Sequence, residues 1–202
     1  MNKSIFFDKV ATGNDPLLFT PEHHRQIEQL KERLGDLTGC HVLEPGCGAG
    51  PLTGYLSQWV GPEGAVLAFD NSPGMLELCR KEHGHRPNVT IWCAAAESAD
   101  LPPASCDLIM LFRVFPHFDD KEHVLRHVRP VLKKEGRLVI AHLEGRVRLN
   151  EYHSRLDLPI RHDHMPCLQG VTRMLHEHQY EVVTGIDTDE EFFVEAVVKK
   201  YA

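Results

Sequence analysis

Three glycines at alternate positions, Gly46, Gly48 and Gly50, close the apolar run in "HVLEPGCGAG". Such a loop lets the backbone approach a bound nucleotide, since no Cβ stands in the way. The neighbouring residues decide which nucleotide. A phosphate-cradling P-loop ends in G-K-[ST], and nothing like it follows. A dinucleotide fingerprint needs a third glycine where Pro51 stands, and proline there is suited to opening a helix. Glu44, two residues before the first glycine, would repel a pyrophosphate but attract an ammonium group. Asp70, twenty residues after Gly50, ends the next apolar run and is placed to accept from two ribose hydroxyls. An ammonium, a ribose and an adenine occur together in S-adenosylmethionine.

Composition narrows the function further. The 202 residues, 42% hydrophobic and 25% charged, suit one α/β domain with a full core and little more. A formal charge of −7 with no lysine or arginine block speaks against a nucleic-acid partner. No apolar run approaches the ~20 residues of a membrane span, and the polar start "MNKSIFFDKVATGND" does not read as a signal peptide. The six cysteines (Cys40, Cys47, Cys79, Cys93, Cys106 and Cys167) show no C-x-x-C pairing. They read as reduced, buried thiols of a cytoplasmic protein, Cys93 and Cys106 as small core residues. Histidine is the anomaly, with fourteen copies.

Elements must position these residues. After an N-terminal arm, Thr20 caps, Pro21 opens and Gly35 ends a helix. Apolar strands at 41–45, 65–70, 89–93, 107–112 and 137–143 alternate with helices at 51–60, 73–83 and 121–132; 94–106 reads as a loop. The alternation predicts an α/β fold: a doubly wound, seven-stranded, mostly parallel sheet with helices on both faces and ligands at the carboxyl ends of the strands. A helix at 169–178 precedes "YEVVTGIDTDEEFFVEAVVKK", a hairpin whose last strand should be antiparallel. One domain is expected over 1–202. It comprises an arm and helix (1–36), a cofactor-binding core (37–143), a substrate-side insertion of no clear period (144–168), and a C-terminal helix and hairpin (169–202).

These motifs resemble those of the class I (Rossmann-like) S-adenosylmethionine-dependent methyltransferases, strongly over about residues 37–143 and loosely over the whole chain. "VLEPGCGAG" is similar to their first motif, which implies Glu44 near the methionine moiety and Gly46, Cys47, Gly48 and Gly50 along the cofactor. In Cys47 the backbone N–H should matter more than the thiol. "VLAFDNSPGMLELCR" is similar to the second, implying Asp70 on the ribose and Asn71 and Met75 near the adenosine. "AAAESADLPPASCDLIMLF" implies Ala96 and Glu97 facing the adenine, with Phe112 also on the cofactor side. Many relatives carry aspartate where Ala95 stands, so adenine recognition here must lean on the Ala96 backbone or on Glu97. The family's Pro-Gly-Gly turn stands as Lys134-Glu135-Gly136. The resemblance implies methyl transfer to a small-molecule acceptor, with S-adenosylhomocysteine as product, by a monomer or homodimer without nucleic acid or membrane. A nicotinamide-dependent oxidoreductase is opposed by Glu44 and the missing glycine; the histidine excess keeps open a non-catalytic cofactor- or metal-binding protein.

A cofactor that already carries an activated methyl group leaves the chain to supply a lid, a pocket and, where the nucleophile loses a proton, a base. The arm "SIFFDKVATGNDP", with Phe6, Phe7 and a bend at Gly13 and Asn14, is the lid in similar methyltransferases; it reads equally as docked on the core. "FRVFPHFDD" places Phe112, Arg113, Phe115, Pro116, His117 and Phe118 as a pocket roof. His117 and His142 are candidate bases. Within "AHLEGRVRLNEYHSRLDLPIRHDHMP", the series His142, Asn150, His153 and Asp163-His164-Met165-Pro166 matches related sequences. His117, His142 and His153 are therefore expected to converge on the acceptor side. Two histidines with Asp163 would also make a metal-binding set. The alternative is a polar pocket of hydrogen-bonded imidazoles without metal.

Overall fold

The computed structural model describes residues 2–13, 19–156 and 159–199. The apolar runs form β1 (His41–Pro45), β2 (Ala65–Asp70), β3 (Val89–Cys93), β4 (Cys106–Phe112) and β5 (Leu132–His142). They pair parallel in the order β3-β2-β1-β4-β5. β6 (Tyr180–Asp187) and β7 (Phe192–Val198) make the C-terminal hairpin, and β7 lies antiparallel between β5 and β6. The result is the expected seven-stranded α/β sheet.

Side chains alternate between the two faces of each strand. Val42, Val66, Leu108 and Val139 pack beneath α2 (Pro21–Leu34), α3 (Thr53–Val60) and α4 (Pro73–His83). Leu43, Phe69, Ile109 and Ile140 pack on the other face with α5 (Lys121–Val128), α6 (Arg146–Ser154) and α7 (Leu168–Glu177). Continuous apolar strands are the consequence of this double cover.

Several boundaries differ from the sequence reading. The arm is a helix, α1 (Lys3–Ala11), started by the Asn2 side chain accepting from the Ser4 N–H. Residues Asn14 to Leu18, the far side of the expected bend, lie outside the described residues. Pro51 sits in a turn ahead of α3. α5 gives way at Arg129 to a 3-10 turn, because Pro130 has no N–H to continue the ladder. β5 starts at Leu132 and absorbs Lys134-Glu135-Gly136, with a register shift between Cys106 and Leu108 taking up the irregularity. The segment read as aperiodic contains α6, which turns Leu149 and His153 inward and leaves Val147 and Tyr152 exposed. Its apolar residues share no face, so no period announces it. All six cysteines are free, and Cys93 and Cys167 are exposed rather than buried. Among the described residues no helix is long and apolar enough to cross a membrane.

Strand order reverses between β1 and β4, which opens a crevice at their carboxyl ends. Gly46 turns the chain there at φ 71°, in the left-handed region, with its N–H on the Phe69 carbonyl at 2.7 Å. A Cβ at Gly46 would lie 2.2 Å from Val114 Cγ2. Gly46→Ala should therefore lose about 2–5 kcal/mol of stability in denaturant unfolding, from left-handed strain plus overpacking. Adding Val114→Ala should recover only the packing part; full recovery, or no loss in the single variant, would contradict this geometry.

Candidate active site

Two carboxyl groups dominate the crevice wall made by β1 and β2. Glu44 is 2% exposed and accepts a hydrogen bond from the Thr53 hydroxyl at 2.7 Å. Burial pushes its carboxyl well above the usual range, and the Thr53 bond offsets only part of this. No cationic side chain pairs with it among the described residues. Asp70 accepts from the Gly48 N–H at 2.9 Å and from the Ser72 N–H at 2.8 Å. Burial raises its carboxyl too, against the lowering effect of those N–H groups. The Asn71 N–H also bonds this carboxylate, which leaves it acceptor capacity for a hydroxyl donor.

The glycine loop is held by its own bonds. Gly46 and Cys47 both donate to the Phe69 carbonyl. The Cys47 N–H is thus spent inside the fold, contrary to the expectation that it serves the cofactor. A Cβ placed on Gly48 would meet nothing within 4 Å, so the loop has room beside it for a ligand. These features fit the cofactor inferred from sequence: a buried acid for its ammonium, a second acid for its ribose, and open space along the loop. Asn71 is exposed, and Met75 is fully buried on α4. Ala96 is buried and Glu97 half-buried in the loop after β3. His123 and His127 of α5 pin that loop by donating to the Glu97 and Ala99 carbonyls at 3.0 and 2.9 Å. Phe112 ends β4, 5% exposed, with the Phe19 ring edge-on at 6.1 Å.

On the opposite wall the three histidines come together. His117 lies in the 3-10 turn after β4, its ring 5.0 Å from that of His153 on α6. His142 ends β5, is 2% exposed, and has no hydrogen-bond partner for either ring nitrogen among the described residues. Burial, reinforced by Arg113, His117 and His153, holds its pKa well below the usual imidazole value, so it is neutral. Burial also lowers that of His153, whose Nδ1 donates to the Asp163 carbonyl. The Asp163 carboxylate bonds His117 Nδ1 at 2.9 Å through one oxygen and Lys3 Nζ at 2.8 Å through the other. Burial opposes its ionisation, but the His117 and Lys3 bonds prevail and hold it below the usual range. Asn150 folds this segment back on α6, donating to the Met165 carbonyl at 3.0 Å and accepting from its N–H at 2.7 Å.

Other candidates fall elsewhere. Phe115, Pro116 and Phe118 are buried in the core and do not roof the pocket. Arg113, left-handed at φ 55°, pairs with Glu144 at 3.2 Å. His164 is exposed and reaches Ser154. Among the described residues no three His, Cys, Asp or Glu side chains are grouped to hold a metal. Sequence reasoning missed Lys3, Asp8 and Thr53. Asp8 accepts from the Ser72 hydroxyl at 2.6 Å and the Gly74 N–H at 2.8 Å, docking α1 on the turn after β2. Thr53 was discoverable as a hydroxyl in the first turn after the glycine loop; Lys3 carries no local signal.

Comparison with known proteins agrees with this geometry. Residues 43–140 match a methyltransferase-domain family. The chain is 31% identical over 140 residues to the ubiquinone/menaquinone biosynthesis C-methyltransferase UbiE of Hahella chejuensis, covering 66% of this chain and 56% of that one. It is 31% identical over 137 residues to the aklanonic acid methyltransferase DauC of Streptomyces sp. (strain C5), covering 65% and 60%. The chain thus spans somewhat over half the length of these curated relatives. A SAM-dependent methyltransferase from Aquifex aeolicus superimposes with a TM-score of 0.73 at 21% identity, over 98% of this chain and all of that one. Residues 43–140 thus carry a methyltransferase domain, and the glycine loop with its two acids, the strand order and these likenesses support a class I S-adenosylmethionine-dependent methyltransferase.

Proposed function

We propose that the protein transfers a methyl group from S-adenosylmethionine to a small-molecule acceptor lodged among His117, His142 and His153. The observation that carries this reading is the pairing of a buried Glu44 and a half-buried Asp70, neither in a salt bridge among the described residues, with a neutral, unpartnered imidazole across the crevice. When bound, the cofactor supplies a methyl group already activated on a sulfonium. Glu44 receives its ammonium group, Asp70 its ribose hydroxyls, and the loop around Ala96 and Glu97 its adenine. Asn71, Met75 and Phe112 are assigned to the same wall. α1 covers the site from the β2 side, and residues 144–156 and 159–168 close it from the β5 side. Holding a nucleophile in line at near-attack distance supplies about 7–11 kcal/mol of the barrier. The histidines orient the acceptor and exclude bulk water. The relatives named for quinone and aklanonic acid chemistry support a small-molecule acceptor.

Calorimetry with S-adenosylhomocysteine and with NAD tests the cofactor side; binding of NAD alone would refute the reading. Asp70→Ala should weaken S-adenosylhomocysteine binding by about 1.5–3 kcal/mol, as a charged acceptor of ribose hydroxyls is lost. Wild-type affinity in that variant would remove Asp70 from the ribose.

Affinity should also depend on pH through Glu44. An ammonium favours the carboxylate, so the pKa in the complex lies below the raised value in the free protein, and binding releases a proton. Affinity is therefore greatest above the free-protein pKa and falls by up to about tenfold per pH unit below it. Glu44→Gln should bind more weakly and flatten this dependence; an unchanged pH profile would show that the ammonium sits elsewhere.

On the acceptor side, replacing His117, His142 or His153 by Ala should lower methyl transfer from labelled cofactor into a metabolite extract at least about tenfold. S-adenosylhomocysteine affinity should stay nearly constant. Loss of cofactor binding in all three would move them to the other wall.

A further inference from the structure

We propose that His117 is the proton acceptor of the reaction, that Asp163 is its positioning residue, and that Lys3 of α1 completes the arrangement only when α1 is docked. This rests on the methyltransferase reading above. Three imidazoles face the crevice, and their partners distinguish them. His142 has none among the described residues and lies wholly buried, so nothing there stabilises an added proton. His153 donates to a backbone carbonyl, which carries no net charge. His117 alone is bonded to a carboxylate, Asp163 Oδ2 at 2.9 Å. That bond places a proton on Nδ1, leaves Nε2, which has no hydrogen-bond partner among the described residues, as the basic nitrogen, and stabilises the imidazolium that forms.

The carboxylate needs support of its own, for Asp163 is only 7% exposed. A buried anion without a cation is unfavourable. Lys3 Nζ supplies one at 2.8 Å, and the same ammonium pairs with Asp119 at 2.6 Å and donates to the His117 carbonyl at 2.8 Å. One side chain of α1 thereby clamps the turn after β4 to the segment after α6. Phe7, one turn further along α1, sets its ring edge-on to His117 at 5.3 Å. The charged and titratable groups facing His117 are thus Lys3 from α1, Asp163, His153 from α6, His142 from β5 and Asp70 from β2.

In the step, His117 Nε2 takes the proton of the acceptor's nucleophilic atom. The electron pair of that atom forms the new bond to the methyl carbon, and the carbon–sulfur bonding pair returns to sulfur. The positive charge passes from sulfonium to imidazolium, and the proton then leaves Nε2 for water. A base so constructed is of use only to a nucleophile that enters carrying a proton it must lose. A thioether or tertiary amine has none.

Histidine ¹⁵N NMR on the full chain, saturated with S-adenosylhomocysteine, tests this without knowledge of the acceptor. His117, assigned through His117→Gln, should carry its proton on Nδ1. Asp163→Asn keeps an acceptor oxygen but removes the anion, and should lower the His117 pKa by about one unit or more. Lys3→Met removes a cation and should raise it, while Lys3→Arg should return it toward wild type. A merely structural role would shift both variants the same way or neither. Same-sign or absent shifts, or a proton on Nε2, would overturn the assignment. Calorimetry on the same samples separates the failures: if the wild type does not bind S-adenosylhomocysteine, the underlying reading of the site falls as well.

Discussion

A buried carboxylate must be met by donors or it will not ionise, and Asp163 meets this constraint by drawing three distant pieces of chain together. Lys3 comes from the first helix, His117 from the turn after β4, and Asp163 itself from the segment after α6. Its backbone carbonyl holds His153 as well. The positions of α1 and of residues 159–168 are thus tied to each other through one group. The acceptor wall of the crevice exists because this anion is shared.

The two walls have opposite electrostatic states. Asp163 is held ionised by partners of this chain, whereas burial raises Glu44 and Asp70, and neither forms a salt bridge among the described residues. An uncompensated buried acid stores a preference for a positive or hydrogen-donating ligand. In the proposed reading the first wall is completed by a ligand that brings an ammonium and hydroxyls, while on the second wall burial lowers the pKa of His142 and His153 and Lys3 balances Asp163. The pH response expected of Glu44 traces to this difference in burial without partners.

Seven of the fourteen histidines serve as pins or face the pocket. His83 bonds the Gly50 carbonyl from α4, His123 and His127 fasten the loop after β3, and His23 closes the capping box of α2. Each supplies a ring N–H to a carbonyl that a loop leaves unpaired, or a ring nitrogen to an N–H, a structural use that composition cannot tell from a metal site. His117, His142 and His153 face the crevice instead.

What the sequence determined by itself was the set of local rules. The alternating glycines, Glu44 and Asp70 at strand ends, and the alternation of apolar strands with helices are each written within a few residues. They were legible because backbone conformation and burial period are short-range. The C-terminal hairpin was legible for the same reason, though its insertion of β7 beside β5 is a matter of sheet pairing. α1 and α6 were not, since neither presents one apolar stripe. Their places come from Lys3 on Asp163, Asp8 on the turn after β2, and His153 turned inward. Phe115 and Phe118 went to the core because the turn after β4 points them there, which no pattern of residue types reveals. Which of three histidines gained a carboxylate was decided only by tertiary structure, because that contact joins residues with no local relation at all.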